Sequence, residues 1–235
     1  MEAWRPVEQF SAALAAARAA GFDLVIVLGS TAGVYEADAH PFIAVEQAFV
    51  KERLDAEQPV LGVCFGAQLI AAALGEEVRR GPVVDVGYRA VEPTPAGLTS
   101  PVRHIAGARV AEWHGDTFDL PAGTQLLASS PAYRNEAFGI GSWMLAVQFH
   151  PELTDEMHEQ WLTSDLSYVT TAGYSPDGLR AERARFGGAM QSVSQRLLAD
   201  YLDGLSRPAP QRSRKKAVSS AEHASASMPE TTSTR

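Results

Sequence analysis

The chain has 235 residues, 46% of them hydrophobic, which is enough for one domain with a sizeable core. Its formal net charge of -8 argues against a general nucleic-acid binder, and its single cysteine excludes an internal disulfide framework. The sequence shows no secretory signal pattern and no apolar run that could span a bilayer, so we expect a cytoplasmic protein without membrane contact.

The first part of the chain predicts a helix, a buried strand and a second helix. Pro6–Ala20 is alanine-rich and is followed by a glycine, which is typical of a helix and its end. The apolar run Phe22–Leu28 is rich in branched residues and predicts a buried strand. The loop Gly29–Gly33 follows at the carboxyl end of that strand, where open α/β sheets bind their ligands. His40–Glu57 predicts the second helix.

The most informative stretch is Pro59–Gly75, with the sequence PVLGVCFGAQLIAAALG. A short apolar run leads into Cys64, and a helical stretch follows at once; this geometry presents a nucleophile at the top of a parallel sheet. Gly62 and Gly66 flank the cysteine because a Cβ at either position would collide with the tight turn. The free amides and the dipole of the following helix favour a thiolate. We therefore interpret Cys64 as a nucleophile rather than a small buried hydrophobe.

Short apolar segments separated by glycine and proline follow the elbow helix and predict strands. We expect the first four to form a mixed extension of the sheet: Glu76–Arg80, Val83–Val91, Pro101–Ile105 and Arg109–Trp113. Three more strands are predicted further on: Thr124–Ser129, Ala137–Ile140 and Trp143–Val147. Asp155–Val169 predicts one helix, and Gly178–Leu205 predicts a helical stretch that is broken near Gly187 and Gly188.

A candidate partner for Cys64 lies directly after the last of these strands. His150 is followed two residues later by Glu152, which supplies a base and a carboxylate that can orient it. His150 would take the proton of Cys64, and Glu152 would hold the imidazole tautomer and stabilise the imidazolium. A metal site built from Cys64, His114, His150 and Glu152 is rejected, because no close-spaced ligand pair supports it.

Two motifs carry a family resemblance: GVCFGAQ at residues 62–68 and FHPE at residues 149–152. Three further stretches support it: VLGS at 27–30, WHGD at 113–116 and LASS at 127–130. Together they resemble the class I (triad) glutamine amidotransferases, and most nearly the stand-alone domains similar to the amidotransferase part of GMP synthase. The resemblance covers roughly residues 22–155 and implies a flavodoxin-like α/β fold, a doubly wound and mostly parallel sheet with flanking helices.

The resemblance also implies roles for particular residues. Cys64, His150 and Glu152 would be the catalytic triad, and backbone amides of Gly29 and Phe65 would form the oxyanion hole. The implied substrate-binding residues are Gln68, Gly115, Asp116 and Ser130. The Asp116 carboxylate would face the α-ammonium of glutamine. The family more often has a second glycine where Ser30 stands.

The implied reaction is hydrolysis of the glutamine γ-amide, with no cofactor and with glutamine as the substrate. No synthetase motif such as G-x-x-x-x-G-K-[ST] occurs, so ammonia would be used by a separate acceptor-activating partner. Two alternatives stay open: a hydrolase of γ-glutamyl conjugates that uses the same triad, and a regulatory subunit without catalysis. The complete triad argues against the second alternative.

We expect one amidotransferase-like domain over residues 1–205, with a catalytic core at about 22–155, a helical extension at 156–205 and a disordered tail at 206–235. Members of the family usually have a strand, a helix and another strand before the segment that corresponds to Phe22–Leu28. Here only a helix precedes it, so N-terminal strands are expected to be missing. A bare sheet edge would then need cover from a partner or from a second copy in a homo-oligomer.

Overall fold

The computed structural model describes Gly21 and residues 23–206, and every structural statement below refers to them. The predicted helix Pro6–Ala20 lies outside the described residues, and so does the predicted tail apart from Ser206. The strands, in chain order, are β1 Val25–Val27, β2 Val60–Val63, β3 Val78–Ala90, β4 Glu92–Pro93, β5 Arg109–Phe118, β6 Gln125–Ser129, β7 Ala137–Ile140 and β8 Met144–Val147. The α-helices are α1 Phe42–Asp55, α2 Phe65–Ala73, α3 Asp155–Ser164, α4 Leu166–Thr171 and α5 Pro176–Ser206.

Six of these strands form the main sheet, in the order β1-β2-β8-β7-β6-β4. β1, β2 and β8 pair in parallel, while β7, β6 and β4 join by antiparallel pairings. Since β6 is two antiparallel pairings away from β8, four of the six strands run in one direction. The predicted α/β class, with a mostly parallel sheet and flanking helices, is confirmed.

Alternate residues of the central strands supply two cores, one on each face of the main sheet. Val60 and Ala146 pack in the core that also contains Ile70 of α2. Leu61 and its neighbours face the other core, where Tyr201 of α5 is buried. The Tyr201 hydroxyl donates to main-chain carbonyls at the start of β2 and just before β8, at 3.0 and 2.9 Å. The sheet that carries the site is therefore held from both sides.

The prediction that the segments after the elbow helix extend the main sheet is wrong for β3 and β5. These two strands pair with each other as a separate antiparallel sheet. The two strands predicted at Glu76–Arg80 and Val83–Val91 are one strand whose register shifts between Arg80 and Asp85. A proline at position 82 has no amide hydrogen for a regular ladder, so the strand bends there without ending.

Three further segments differ from the prediction. Pro101–Ile105 is a 3-10 helix rather than a strand, because Ser100 accepts the amide of Val102 at 3.2 Å and caps its start. The helix predicted over Asp155–Val169 is interrupted at Asp165, which separates α3 from α4.

α5 is continuous over 31 residues and is not broken at its paired glycines. An added Cβ at Gly187 would lie 2.8 Å from Nε of Arg183, so this glycine makes room for packing rather than ending the helix. The described helices include none that is both long enough and apolar enough to cross a membrane.

Candidate active site

Three adjacent parallel strands bring the predicted catalytic residues together. Gly29 follows β1, Cys64 follows β2, and His150 follows β8, so all three lie at the same edge of the sheet. The Cys64 amide donates to the Val147 carbonyl at 2.9 Å, and the His150 amide donates to the Ala111 carbonyl at 2.8 Å. These bonds connect both residues to the strands next to them.

Cys64 has a φ of 52°, a left-handed conformation that is strained for a residue with a side chain. The flanking glycines make this turn possible. An added Cβ at Gly62 would lie 2.6 Å from the backbone of Gly66, and one at Gly66 would lie 2.0 Å from the carbonyl oxygen of Val27. The tight elbow predicted from the glycine pattern is thus present, and it places Cys64 at the N-terminus of α2.

His150 is buried between the predicted nucleophile and a carboxylate. Its Nδ1 lies 2.7 Å from Oε1 of Glu152, and its ring packs edge-on against Trp161 at 4.8 Å between centroids. Burial lowers the pKa of His150, but the charge and hydrogen bond of Cys64 and those of Glu152 outweigh it and raise the pKa to about 10. The surroundings of His150 therefore favour the protonated imidazole beside Cys64.

Both residues predicted for the oxyanion hole lie next to Cys64. An added Cβ at Gly29 would be 3.0 Å from Cε1 of His150 and 3.8 Å from Cβ of Cys64. Phe65 is the first residue of α2, so its amide has no acceptor inside the helix. In the same loop, the hydroxyl oxygen of Ser30 accepts the amide of Ala32 at 3.1 Å.

Two cavities meet at Cys64. The first has a volume of about 330 Å³, and its wall includes Gln68, Gly115 and Asp116. The second, of about 360 Å³, lies on the side of His150 and is lined partly by apolar side chains, including Leu28, Met157 and Trp161. The cavities share the following residues: Ser30, Thr31, Cys64, Trp113 and Asp165.

Asp116 combines with two residues that the sequence analysis missed. The hydroxyl of Tyr35 donates to its carboxylate at 3.1 Å, and Nε of Arg80 lies 3.9 Å away. Burial raises the pKa of Asp116, although Tyr35, Arg80 and His114 act in the opposite direction. Tyr35 and Arg80 both line the first cavity, which therefore presents a carboxylate and a guanidinium side by side.

Ser130 is predicted to bind the substrate, but it lines neither cavity. Phe65, whose predicted role uses only its backbone amide, is also absent from both linings. The hydroxyl oxygen of Ser130 accepts the amide of Tyr133 at 2.9 Å, and the hydroxyl lies near Glu136.

Gly115 does line the first cavity. Its lack of a side chain makes room for another protein group, because an added Cβ would lie 3.2 Å from the hydroxyl of Tyr168.

Asp165 is a third residue that was not predicted, and it lines both cavities. Its carboxylate accepts the indole N–H of Trp113 at 3.2 Å, at the position where the predicted single helix is interrupted. The sequence around Asp165 predicts an unbroken helix, so it gave no indication that this residue would contact Trp113.

The parallel strands, the strained cysteine elbow and the adjacent histidine define an α/β protein that displays a thiol at a strand-to-helix turn. The family model for glutamine amidotransferase class-I matches residues 5–167, so the chain belongs to the class I glutamine amidotransferase family.

Relatives and solved structures agree with this assignment. The chain is 30% identical over 143 residues to the glutamine amidotransferase-like protein YfeJ of Salmonella typhimurium, covering 59% of this chain and 60% of the relative. It is 31% identical over 134 residues to GMP synthase [glutamine-hydrolyzing] of Neisseria meningitidis, covering 55% of this chain and 24% of that protein. A crystal structure of a glutamine amidotransferase from Thermotoga maritima superposes with a TM-score of 0.71 at 28% identity, over 88% of this chain and 83% of that one. The match spans less than two thirds of the length of YfeJ and of GMP synthase.

Proposed function

We propose that this protein hydrolyses the γ-amide of glutamine through Cys64, His150 and Glu152 and supplies ammonia to a separate acceptor-activating enzyme. One observation carries the proposal: the strained Cys64 elbow faces a buried His150 whose Nδ1 is held 2.7 Å from Glu152. A nucleophile, a base and an orienting carboxylate are the three parts that acyl transfer requires.

In the first half of the reaction, the sulfur of Cys64 attacks the amide carbonyl carbon while the thiol proton passes to His150. The raised pKa of His150 favours this transfer. Negative charge develops on the carbonyl oxygen, and the amides of Gly29 and Phe65 stabilise it. His150 then gives its proton to the departing ammonia, which leaves a γ-glutamyl thioester on Cys64.

In the second half, water gives a proton to His150 and attacks the thioester. The bond to sulfur breaks, the thiolate is reprotonated, and glutamate leaves. Glu152 stabilises each imidazolium by accepting a charge-assisted hydrogen bond from Nδ1.

The head group of glutamine carries one positive and one negative charge, and the first cavity offers a partner for each. We assign the α-ammonium to Asp116 and the α-carboxylate to Arg80, whose side chain is 77% exposed and free to swing toward the ligand. Gln68 would hydrogen-bond the substrate in the same cavity. Because the two head-group charges are attached to the same carbon atom of glutamine, this assignment explains why an arginine lies close to Asp116.

Ammonia transfer to a partner is supported by exposed apolar residues at the cavity mouths. Leu28 is 54% exposed and lines the second cavity, and Tyr35 is 48% exposed and lines the first. Exposed apolar and aromatic side chains beside a site are a common feature of surfaces that bind another protein. The relative GMP synthase combines glutamine hydrolysis and synthesis under one name. The free thiol of Cys64 suits a reducing compartment, so we assign the reaction to the cytoplasm.

The second cavity favours hydrolysis of γ-glutamyl conjugates as a second candidate function. It lies on the side of His150, where the leaving group must receive its proton, and at about 360 Å³ it has room for more than ammonia. Comparing kcat/KM for glutamine with that for γ-glutamyl dipeptides decides between the two. A clear preference for dipeptides would favour the conjugate hydrolase.

Labelling with diazo-oxo-norleucine, an electrophile that mimics glutamine, tests the proposal. We expect one adduct, mapped by mass spectrometry to Cys64, together with loss of ammonia release. Cys64→Ala removes the only thiol in the chain and should abolish both labelling and turnover while leaving thermal unfolding unchanged.

Labelling of another residue, or undiminished glutamine hydrolysis in Cys64→Ala, would contradict the mechanism. If the folded wild-type protein neither labels nor hydrolyses any γ-glutamyl compound, the regulatory alternative takes its place.

A further inference from the structure

A group of buried polar side chains lies outside the proposed reaction. Glu112 and His114 are two residues apart on β5 and therefore share one face of that strand. Glu136 comes directly before β7 in the main sheet. Both glutamates are fully buried, and His114 is 3% exposed. The sequence carries no signal for either glutamate as part of a site, because nothing in their spacing connects them.

The geometry of the group is that of ligands around a common centre. Nε2 of His114 lies 3.1 Å from Oε2 of Glu112 and 3.9 Å from Oε2 of Glu136. One potential ligand atom from each residue lies within 4.8 Å of the others. Two donors held about 2.1 Å from a tetrahedral zinc ion are about 3.4 Å apart, and the two measured histidine distances bracket that value.

The hydrogen bonds around His114 determine which atom can bind a cation. Nδ1 lies 3.0 Å from the carbonyl oxygen of Asp116. A carbonyl only accepts hydrogen bonds, so Nδ1 carries the hydrogen and Nε2 of the neutral ring presents a lone pair. Carbonyl bonding to one imidazole nitrogen is the usual way in which proteins orient a histidine whose other nitrogen binds metal.

The lone pair of Nε2 therefore faces carboxylate oxygens that are also acceptors. Within the described residues, no atom of this group makes a hydrogen bond of normal geometry through Nε2 or through the four glutamate oxygens. Buried acceptors in contact need either a proton or a metal cation between them.

The basic side chain of Arg89, on the strand that pairs with β5, already serves other carboxylates. Arg89 pairs with Asp85 at 2.7 Å and with Glu182 at 3.3 Å. When both glutamates are ionised they carry two negative charges, which one divalent cation would neutralise. Mixed imidazole and carboxylate ligands suit zinc and related transition metals better than calcium or magnesium.

We propose that Glu112, His114 and Glu136 form a structural site for a divalent transition metal ion of the zinc class. A carboxylate can bind through one or both oxygens, so three residues can complete a closed tetrahedral shell. The buried amide of Gln148 is a further candidate donor, because its backbone amide bonds to the carbonyl of Glu136 at 2.7 Å and its side chain also lacks a partner. The ion would connect β5 of the small sheet to the main sheet. It would thereby support the loop of His150, whose amide bonds to Ala111 on β5.

The test measures metal content, a cobalt spectrum and thermal stability on the full chain. Protein is expressed with Zn²⁺ in the medium, purified, and analysed for metal. A second sample is unfolded in guanidinium chloride with a chelator, desalted, and refolded with Zn²⁺, with Co²⁺ or with neither. Glu136→Gln keeps the shape of the side chain but weakens the ligand, and His114→Asn removes the imidazole. Glu92→Gln, at an exposed position, is the matched control.

We expect about one metal ion per chain in the wild type and in Glu92→Gln, an intense Co²⁺ absorption from tetrahedral ligands, and a rise in Tm on refolding with Zn²⁺. Glu136→Gln and His114→Asn should lose most of the metal, the spectrum and the rise in Tm. If His114→Asn does not fold, the comparison with Glu136→Gln stands by itself.

Two results would overturn the site. The first is the absence of stoichiometric metal from the wild-type protein after either treatment. In that case Glu136→Gln should be as stable as the wild type or more so. Protons would then neutralise the group. The second is equal metal retention in the wild type and in all variants, which would place the ion elsewhere.

Discussion

Replacing Glu152 by glutamine tests the step that connects the geometry to catalysis. The carboxylate accepts a 2.7 Å hydrogen bond from Nδ1 of His150, and it contributes to the raised pKa of His150. Hydrogen bonds to a charged group are worth about 1.5–3 kcal/mol, which corresponds to a factor of roughly 10 to 100 in rate if the bond strengthens only in the transition state. Glu152 is 25% exposed, so solvent screening favours the lower part of this range.

A second effect adds to the loss. A glutamine amide can donate to Nδ1 and hold the imidazole in the wrong tautomer, and in a serine protease triad the equivalent change lowers kcat by about 10⁴. We therefore expect Glu152→Gln to lower kcat for glutamine by about 10²- to 10⁴-fold while the protein stays folded.

The assay is ammonia release at saturating glutamine, with circular dichroism and thermal unfolding to verify the fold. Glu156→Gln is the matched control, because it makes the same substitution at an exposed position on α3 four residues away. Near-wild-type turnover in folded Glu152→Gln would show that Glu152 is only a neighbour of His150. An equal loss in Glu156→Gln would show that the effect is not specific to the triad.

Three other predictions concern substrate binding, the elbow and pH. Asp116→Asn and Arg80→Gln should each lower kcat/KM for glutamine by about 10- to 100-fold through the lost head-group charge pair, yet leave labelling by uncharged iodoacetamide nearly unchanged. Gly66→Ala should destabilise the fold by about 1–3 kcal/mol or more in denaturant titrations, because its Cβ would lie 2.0 Å from a carbonyl oxygen of β1, whereas Gly188→Ala in α5 should be neutral or stabilising. Burial raises the pKa of Glu46 from 4.5 to about 7, so the native state binds more protons than the unfolded state between these values and stability falls as pH rises. Glu46→Gln should therefore gain up to about 3 kcal/mol relative to the wild type at pH 8, and little at pH 4.

Each of these predictions can fail in a distinct way. Equal loss of turnover and of iodoacetamide labelling in Asp116→Asn would indicate a folding role, and no loss in either variant would place the head group elsewhere. A Gly66→Ala protein as stable as the wild type would mean that the elbow can relax. A stability difference for Glu46→Gln that does not change with pH would show that Glu46 does not titrate in this range.

The sequence was sufficient for the parts of the site that depend on local chain geometry. The Cys64 elbow was predictable because the strand, the turn and the helix are contiguous in the sequence. The turn leaves no room for a Cβ at the positions on either side, so glycines occur there. Gly29 and His150 were predictable as its neighbours because the carboxyl ends of parallel strands meet at one edge of a sheet. The inferences for Cys64 and His150 needed only the order of the elements and the residue types at strand ends, whereas the choice of Gly29 also rested on the family resemblance.

Pairings between distant segments were decided only by the tertiary structure. Apolar segments with β propensity do not specify their partners, so β3 and β5 could not be separated from the main sheet by sequence alone. Arg80 and Tyr35 reach Asp116 from segments 36 and 81 positions away. The buried glutamates at positions 112 and 136 likewise meet only because β5 packs beside the main sheet. Local periodicity indicates which face of an element is buried, but not which other element covers it. For this reason the nucleophile could be predicted from the sequence, whereas the charged residues around its substrate could not.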